Sequence, residues 1–194
     1  MNIALHKPMT VAEFLAWEER QELRWEFNGY EPVAMNGGTA AHSMIQLNLL
    51  TALKARLRGT PCQPHGSSLK IEVAGRIRYP DAFVVCTPVP PRSKVVTDPV
   101  VVLEILSPST QRVDLTEKNA EYRATPSIQR YVVLQQDCAA AISFIRKGEE
   151  WVSELRYDTD AVLDLPEIGT EVPLAEIYEG VTLPGPGEEV PEEG

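Results

Sequence analysis

Cysteine, histidine and aromatic residues are scarce in this chain, and long apolar runs are missing. The three cysteines, Cys62, Cys86 and Cys138, stand far apart, form no CxxC pair and cannot all pair within one chain. Reduced, mostly buried thiols in a cytoplasmic protein are therefore expected. Three scattered histidines do not make a zinc site. Aromatics are 7% of the chain, which gives no support to a sugar-binding groove worked by two carboxylates. No stretch has membrane-spanning length. The start, MNIALHKPMT, lacks a charged segment followed by an apolar one, so no secretory signal is expected. No GxSxG surrounds a serine, which removes the usual hydrolase triad. No glycine-rich phosphate loop is present, and no internal repeat.

Positive charge is also in deficit. The net charge of −10 argues against a protein that coats nucleic acid without specificity. The imbalance is local: residues 1–69 are neutral, residues 70–130 carry +2, and residues 131–194 carry −12. A polyanionic substrate is thus compatible with the first two thirds.

The 194 residues suggest one domain over 1–180 with a real core, followed by an acidic Pro/Gly/Glu tail over 181–194 that cannot bury apolar surface. Thr10-Val11-Ala12-Glu13 fits a capping box opening a short helix to about Glu19, with Phe14 and Trp17 inward. Asn28-Gly29 between aromatic-rich arms signals a hairpin carrying Glu26. Gly37-Gly38 leads into a long helix over 40–58 ending at Gly59, with Met44, Leu47, Leu50, Leu53 and Leu57 at helical spacing and His42 in its first turn. Residues 62–73 and 76–86 read as two strands, and 87–98 as a Pro-rich loop. A strand over 100–106, a turn over Ser107–Thr110 and a helix over 114–123 come next. Strands over 131–135, 140–146 and 151–157 follow, with one helical turn near 173–178. The class is mixed α/β: a mixed sheet flanked by helices, with additional antiparallel hairpins.

Val100–Leu106 is the stretch to explain. A strand apolar on both faces is usually central in a covered sheet, yet Glu104 interrupts it. A buried carboxylate is normally paired, protonated or bound to a metal. Asp81 heads a second apolar run, Ala82–Cys86. On neighbouring strands the two acids can converge, share a proton or bind a cation. A hard divalent ion prefers carboxylate oxygens and keeps waters, which suits phosphodiester hydrolysis. Each acid also has a plainer reading, Glu104 as an ion-pair partner and Asp81 as a turn residue. Glu26 could pair across strands, Lys118 could pair with Asp114 or Glu121 on a solvated face, and His42 reads more readily as a helix-start polar group than as a ligand.

Pro80-Asp81, with Glu104 twenty-three residues later on an apolar strand, resembles the PD-(D/E)XK nuclease superfamily. The longer string is more specific. Tyr79-Pro80-Asp81, the EILSPST block from Glu104 to Thr110, Asp114, Lys118, Tyr122 and Tyr131–Leu134 are similar to the Uma-type "putative restriction endonucleases". So are Trp25–Gly29 and the His42 helix, and the likeness spans roughly residues 9–180. The resemblance implies a restriction-endonuclease-like core and a Mg²⁺ (or Mn²⁺) site held by Asp81 and Glu104, acting on DNA, with Glu26 as a further acid from upstream. A homodimer is the analogous assembly. One departure matters: the superfamily's lysine two residues after the glutamate is here Leu106. The lysine must come from elsewhere, and the resemblance favours Lys118, with Lys70 second. Without either, the chain would be a nuclease-like scaffold that binds nucleic acid or a protein without cutting.

Overall fold

The computed structural model describes residues 8–35, 37–106 and 111–183. The turn expected over Ser107–Thr110, and all but the first three residues of the acidic tail, lie outside the described residues.

The capping box forms as read. The Thr10 hydroxyl accepts the Glu13 N–H, Glu13 reaches back to the Thr10 N–H, and α1 (Val11–Glu18) follows. Phe14 turns inward and stacks on Phe27, with Trp17 at its side. β1 (Trp25–Phe27) and β2 (Pro32–Ala34) are the hairpin arms. Asn28 Oδ1 accepts the N–H groups of Tyr30 and Glu31, and Gly29 adopts a φ of 95°, which side-chain-bearing residues avoid.

α2 (Ala40–Arg56) starts at Thr39, whose side chain accepts the His42 N–H. Its buried stripe is Ile45, Leu49, Ala52 and Leu53, while Met44 and Leu47 face outward. This corrects the expected face at Met44 and Leu47, while Leu53 and Leu57 are buried and Leu50 packs on the core as expected. Apolar residues surround much of the helix, so spacing alone does not choose the side that meets the sheet.

The two strands expected over 62–86 are four: β3 (Gln63–Gly66), β4 (Lys70–Val73), β5 (Arg76–Arg78) and β6 (Ala82–Val85). A turn closed by the Leu69 N–H on the Gly66 carbonyl divides the first pair. Tyr79-Pro80-Asp81 divides the second, and Pro80 has no N–H to offer a ladder. The Pro-rich loop holds the short β7 (Val95–Val96). β8 (Val101–Ile105) precedes a helical segment of three parts: α3 (Gln111–Val113), a π-helical turn (Asp114–Lys118) and α4 (Asn119–Ala124). β9 (Arg130–Leu134), β10 (Ala140–Lys147) and β11 (Glu150–Tyr157) match the three late strands. The hairpin of β12 (Val162–Leu165) and β13 (Thr170–Pro173) was not legible, and α5 (Leu174–Ile177) is the expected single turn.

Six strands form one sheet in the order β11-β10-β9-β8-β6-β3, and five form another, β2-β1-β5-β4-β7. β8 is central, parallel to β9 and antiparallel to β6, with all five residues buried. One face of the large sheet packs on α2, α5 and the β12–β13 hairpin; the other, which carries Tyr131, packs on Tyr122 and Ile128. β5 lies in the smaller sheet and β6 in the larger, so Tyr79-Pro80-Asp81 carries the chain across the seam between them.

The expectation of three reduced thiols is corrected. Gln63 pairs with Val85 on β3 and β6, so Cys62 and Cys86 extend that register and face each other, and they form a disulfide. Cys138 is free. No helix among the described residues is long and apolar enough to cross a membrane.

Candidate active site

Glu104 lies one residue before the end of β8, on the sheet face that meets the helical segment, and is 3% exposed. Strand alternation places Leu106 on that same face, packed in the core that contains Tyr122. Nothing on β8 supplies a cation. The cation comes from above: Lys118, the last residue of the π-helical turn, puts Nζ 3.0 Å from Glu104 Oε1. One helical turn later Tyr122 donates its hydroxyl to the same oxygen at 2.8 Å. Asp114, four residues before Lys118, places Oδ1 3.0 Å from Nζ. The spacing 114, 118, 122 lines one helical face with acid, base and phenol: Lys118 and Tyr122 reach Glu104, and Asp114 holds the Lys118 ammonium. π-Turns within helices are rare and often mark functional sites.

Asp81 and Glu104 interlock. The Asp81 N–H donates to Glu104 Oε2 at 3.3 Å, and the Ile105 N–H donates to Asp81 Oδ2 at 2.8 Å. His42 Nε2 lies 3.1 Å from the same Oδ2, and as a carboxylate can only accept, the imidazole donates. Gln46, one turn further along α2, donates to the Asp81 carbonyl at 2.8 Å.

Glu26 enters from the smaller sheet. Its Oε2 accepts from Arg78 Nη1 at 3.0 Å, its Oε1 accepts the Tyr79 N–H at 3.0 Å, and Oε1 stands 3.7 Å from Lys118 Nζ. Arg78 is almost wholly buried and turns its other nitrogens to Glu121 on α4, at 2.8 and 2.7 Å. The cross-strand partner that sequence reading allowed for Glu26 is therefore real, and so is its proximity to the lysine. Lys70 does not reach the acids; its ammonium is bound to Glu18 and lies beside the Tyr79 ring.

Electrostatics follow from this crowding. Burial, with the charges of Asp114, Asp81 and Glu26 behind it, pushes the Glu104 carboxyl up to about 8 against the pull of Lys118. Burial works to lower Lys118, but Glu104, Glu26 and Asp114 outweigh it and hold the ammonium charged. Burial works to raise Glu26, yet the cations of Lys118 and Arg78 keep it below the usual carboxylate range. The His42 imidazole is raised, as its hydrogen bond and charge contact with Asp81 overcome burial.

Acidic side chains thus outnumber the cations around Glu104, and a divalent cation fits that surplus. Among the described residues no three His, Cys, Asp or Glu side chains are grouped to hold an ion. Asp81 and Glu104 could offer a carboxylate pair, the kind of donor that a hard divalent ion takes when it keeps its waters.

Of the residues singled out from sequence, Glu26, Asp81, Glu104 and Lys118 come together, and Lys70 does not. Reading by sequence gave His42 the role of a helix-start group and Asp114 that of a possible ion-pair partner for Lys118, which it is, and gave Tyr122 and Arg78 none. The four-residue spacing of 114, 118 and 122 was the available signal. His42 and Arg78 had none, because their partners are remote in the chain.

Comparison with known proteins bears on the family and the fold. The chain matches the Uma2 family model, described as "Putative restriction endonuclease", over residues 11–175. It is 33% identical over 176 residues to "Uncharacterized protein slr1290" of Synechocystis sp., covering 88% of this chain and 92% of that one. It is 27% identical over 160 residues to "Uncharacterized protein sll1609" of the same organism, covering 78% and 89%. The crystal structure of a "putative nuclease belonging to DUF820" from Anabaena variabilis superposes with a TM-score of 0.75 at 16% identity, covering 90% of this chain and all of that one. That likeness shows a shared fold, and with the family match over most of its length the chain belongs to the Uma2 "Putative restriction endonuclease" family.

Proposed function

We propose that this protein is a divalent-metal-dependent endonuclease that hydrolyses DNA phosphodiester bonds. The observation that carries the reading is the convergence of Asp81, Glu104 and Lys118 from three separate segments, with Lys118 in the place that Leu106 leaves empty of charge. Asp81 and Glu104 would hold Mg²⁺ or Mn²⁺. Bound there, the ion supplies a Lewis acid for a phosphoryl oxygen and an acidified water as nucleophile.

The chain's own residues do the rest. Lys118 presents a fixed ammonium to the charge that develops on the phosphorane oxygens, and a preformed donor needs no reorganisation at that moment. Asp114 and Glu26 keep that ammonium protonated and aimed. Tyr122 fixes the rotamer of Glu104. Arg78 and the Tyr79 N–H hold Glu26 ionised and in place, so its charge supports the Lys118 ammonium.

The test is cleavage of supercoiled and of single-stranded DNA with Mg²⁺ or Mn²⁺. Cleavage by the parent chain, lost in Glu104→Ala and in Asp81→Ala, is the expected result. Cleavage that survives Glu104→Ala would overturn the assignment. Salt-dependent DNA binding with no cleavage and no metal uptake would point instead to a scaffold that binds without cutting.

A further inference from the structure

The α2 helix meets Asp81 twice. His42 holds the side chain through Oδ2 at 3.1 Å, and one turn on Gln46 holds the main-chain carbonyl at 2.8 Å. The Ile105 N–H takes Oδ2 as well, at 2.8 Å. Among the described residues every hydrogen bond to the Asp81 carboxylate goes to Oδ2, which leaves the lone pairs of Oδ1 for another partner. The imidazole that does this has a made seat. A methyl group added at Gly38 would lie 2.9 Å from His42 Nδ1 and 3.1 Å from Cγ, too close for the ring to stay where it is. Gly38 does not adopt positive φ, so backbone strain is not its reason to be glycine.

We propose that His42 is a positioning residue for Asp81, and that Gly38 is glycine in order to seat its ring. This rests on the reading of Asp81 and Glu104 as the metal site. His42 touches neither ion nor substrate. Its N–H occupies one carboxylate oxygen and so fixes which lone pairs remain for the cation. Outer partners of this kind typically change metal affinity 10- to 100-fold when removed.

The experiment is Mn²⁺ titration by calorimetry on the full chain without DNA, with thermal melting in parallel. His42→Ala should weaken Mn²⁺ binding by about tenfold or more, with a single cooperative melting transition showing that the fold is kept. His42→Gln, whose amide nitrogen reaches the same place and can donate, should restore most of the affinity. Gly38→Ala should reproduce the loss without touching His42 itself. Parent-like affinity in His42→Ala, or loss in His42→Gln equal to that in His42→Ala, overturns the positioning role while the metal site stands. A parent chain that takes up no Mn²⁺ overturns the metal site, and the positioning role with it.

Discussion

At the scale of single residues, Lys118 and Glu104 decide most. Each is buried, and each is charged or neutral only by leave of the other. Lys118→Met should abolish DNA cleavage and, by stranding Glu104 and Asp114, lower stability by about 3–5 kcal/mol in urea unfolding. Glu104 makes a second, pH-dependent prediction. Its folded-state value near 8 lies above the usual carboxylate range, so between about pH 4.5 and 8 the folded protein binds a proton that the unfolded chain has released. Stability of the metal-free protein from this group is therefore greatest at low pH, falls across that window and levels off above it. Glu104→Gln should flatten the slope and be the more stable protein at pH 8, measured by denaturant unfolding at several pH values. Cys138 offers a simpler check. With Cys62 and Cys86 joined, one thiol should titrate without reductant and three after reduction and unfolding. Burial and the neighbouring Asp137 raise the Cys138 thiol, so it should alkylate slowly near neutrality.

Among the elements, α2 is worth testing at its first turn. Thr39 caps the helix through the His42 N–H and also donates its hydroxyl to Gln136 at 2.6 Å. Thr39→Ala should cost about 1 kcal/mol of stability, read from chemical denaturation. The elements also show where sequence informs and where it stops. The capping box at Thr10, the hairpin at Asn28-Gly29 and the three late strands were legible because their signals are local. The interruption of β8 by Glu104 was legible because a carboxylate in an apolar strand has few explanations. The inward face of α2 was not, since Ile45 and Leu49 compete with Met44 and Leu47 on equal terms until a sheet is present. β12 and β13 were missed because four-residue strands beside Pro166 and Pro173 give too short a pattern. The breaks after Gly66 and Arg78 depend on which of two sheets each piece joins, a property of the assembled chain. The hold of His42 on Asp81 spans 39 residues and leaves no trace in spacing.

Across the whole molecule, Arg78 ties the smaller sheet to α4. Among the described residues it is the largest side chain to be fully buried, and it sits between Glu26 and Glu121. Arg78→Met should destabilise by about 3 kcal/mol because Glu26 and Glu121 lose the buried cation they share and keep only Lys118 and Arg76, whereas Arg78→Met with Glu121→Met should recover part of that loss. Equal melting temperatures for the single and double variants would show that the pair does not bridge the two parts.

The crossing at Tyr79-Pro80-Asp81 gives the molecule a joint, and the joint ends on Asp81 at the head of β6, beside Glu104 on the neighbouring β8 of the same sheet. An ion lodged between them would work as a staple across two adjacent strands, at the point where the chain arrives from the smaller sheet. At free Mn²⁺ a hundredfold above its dissociation constant the staple adds about 2.7 kcal/mol against unfolding. Chelation would then remove that increment and move the unfolding transition to lower temperature.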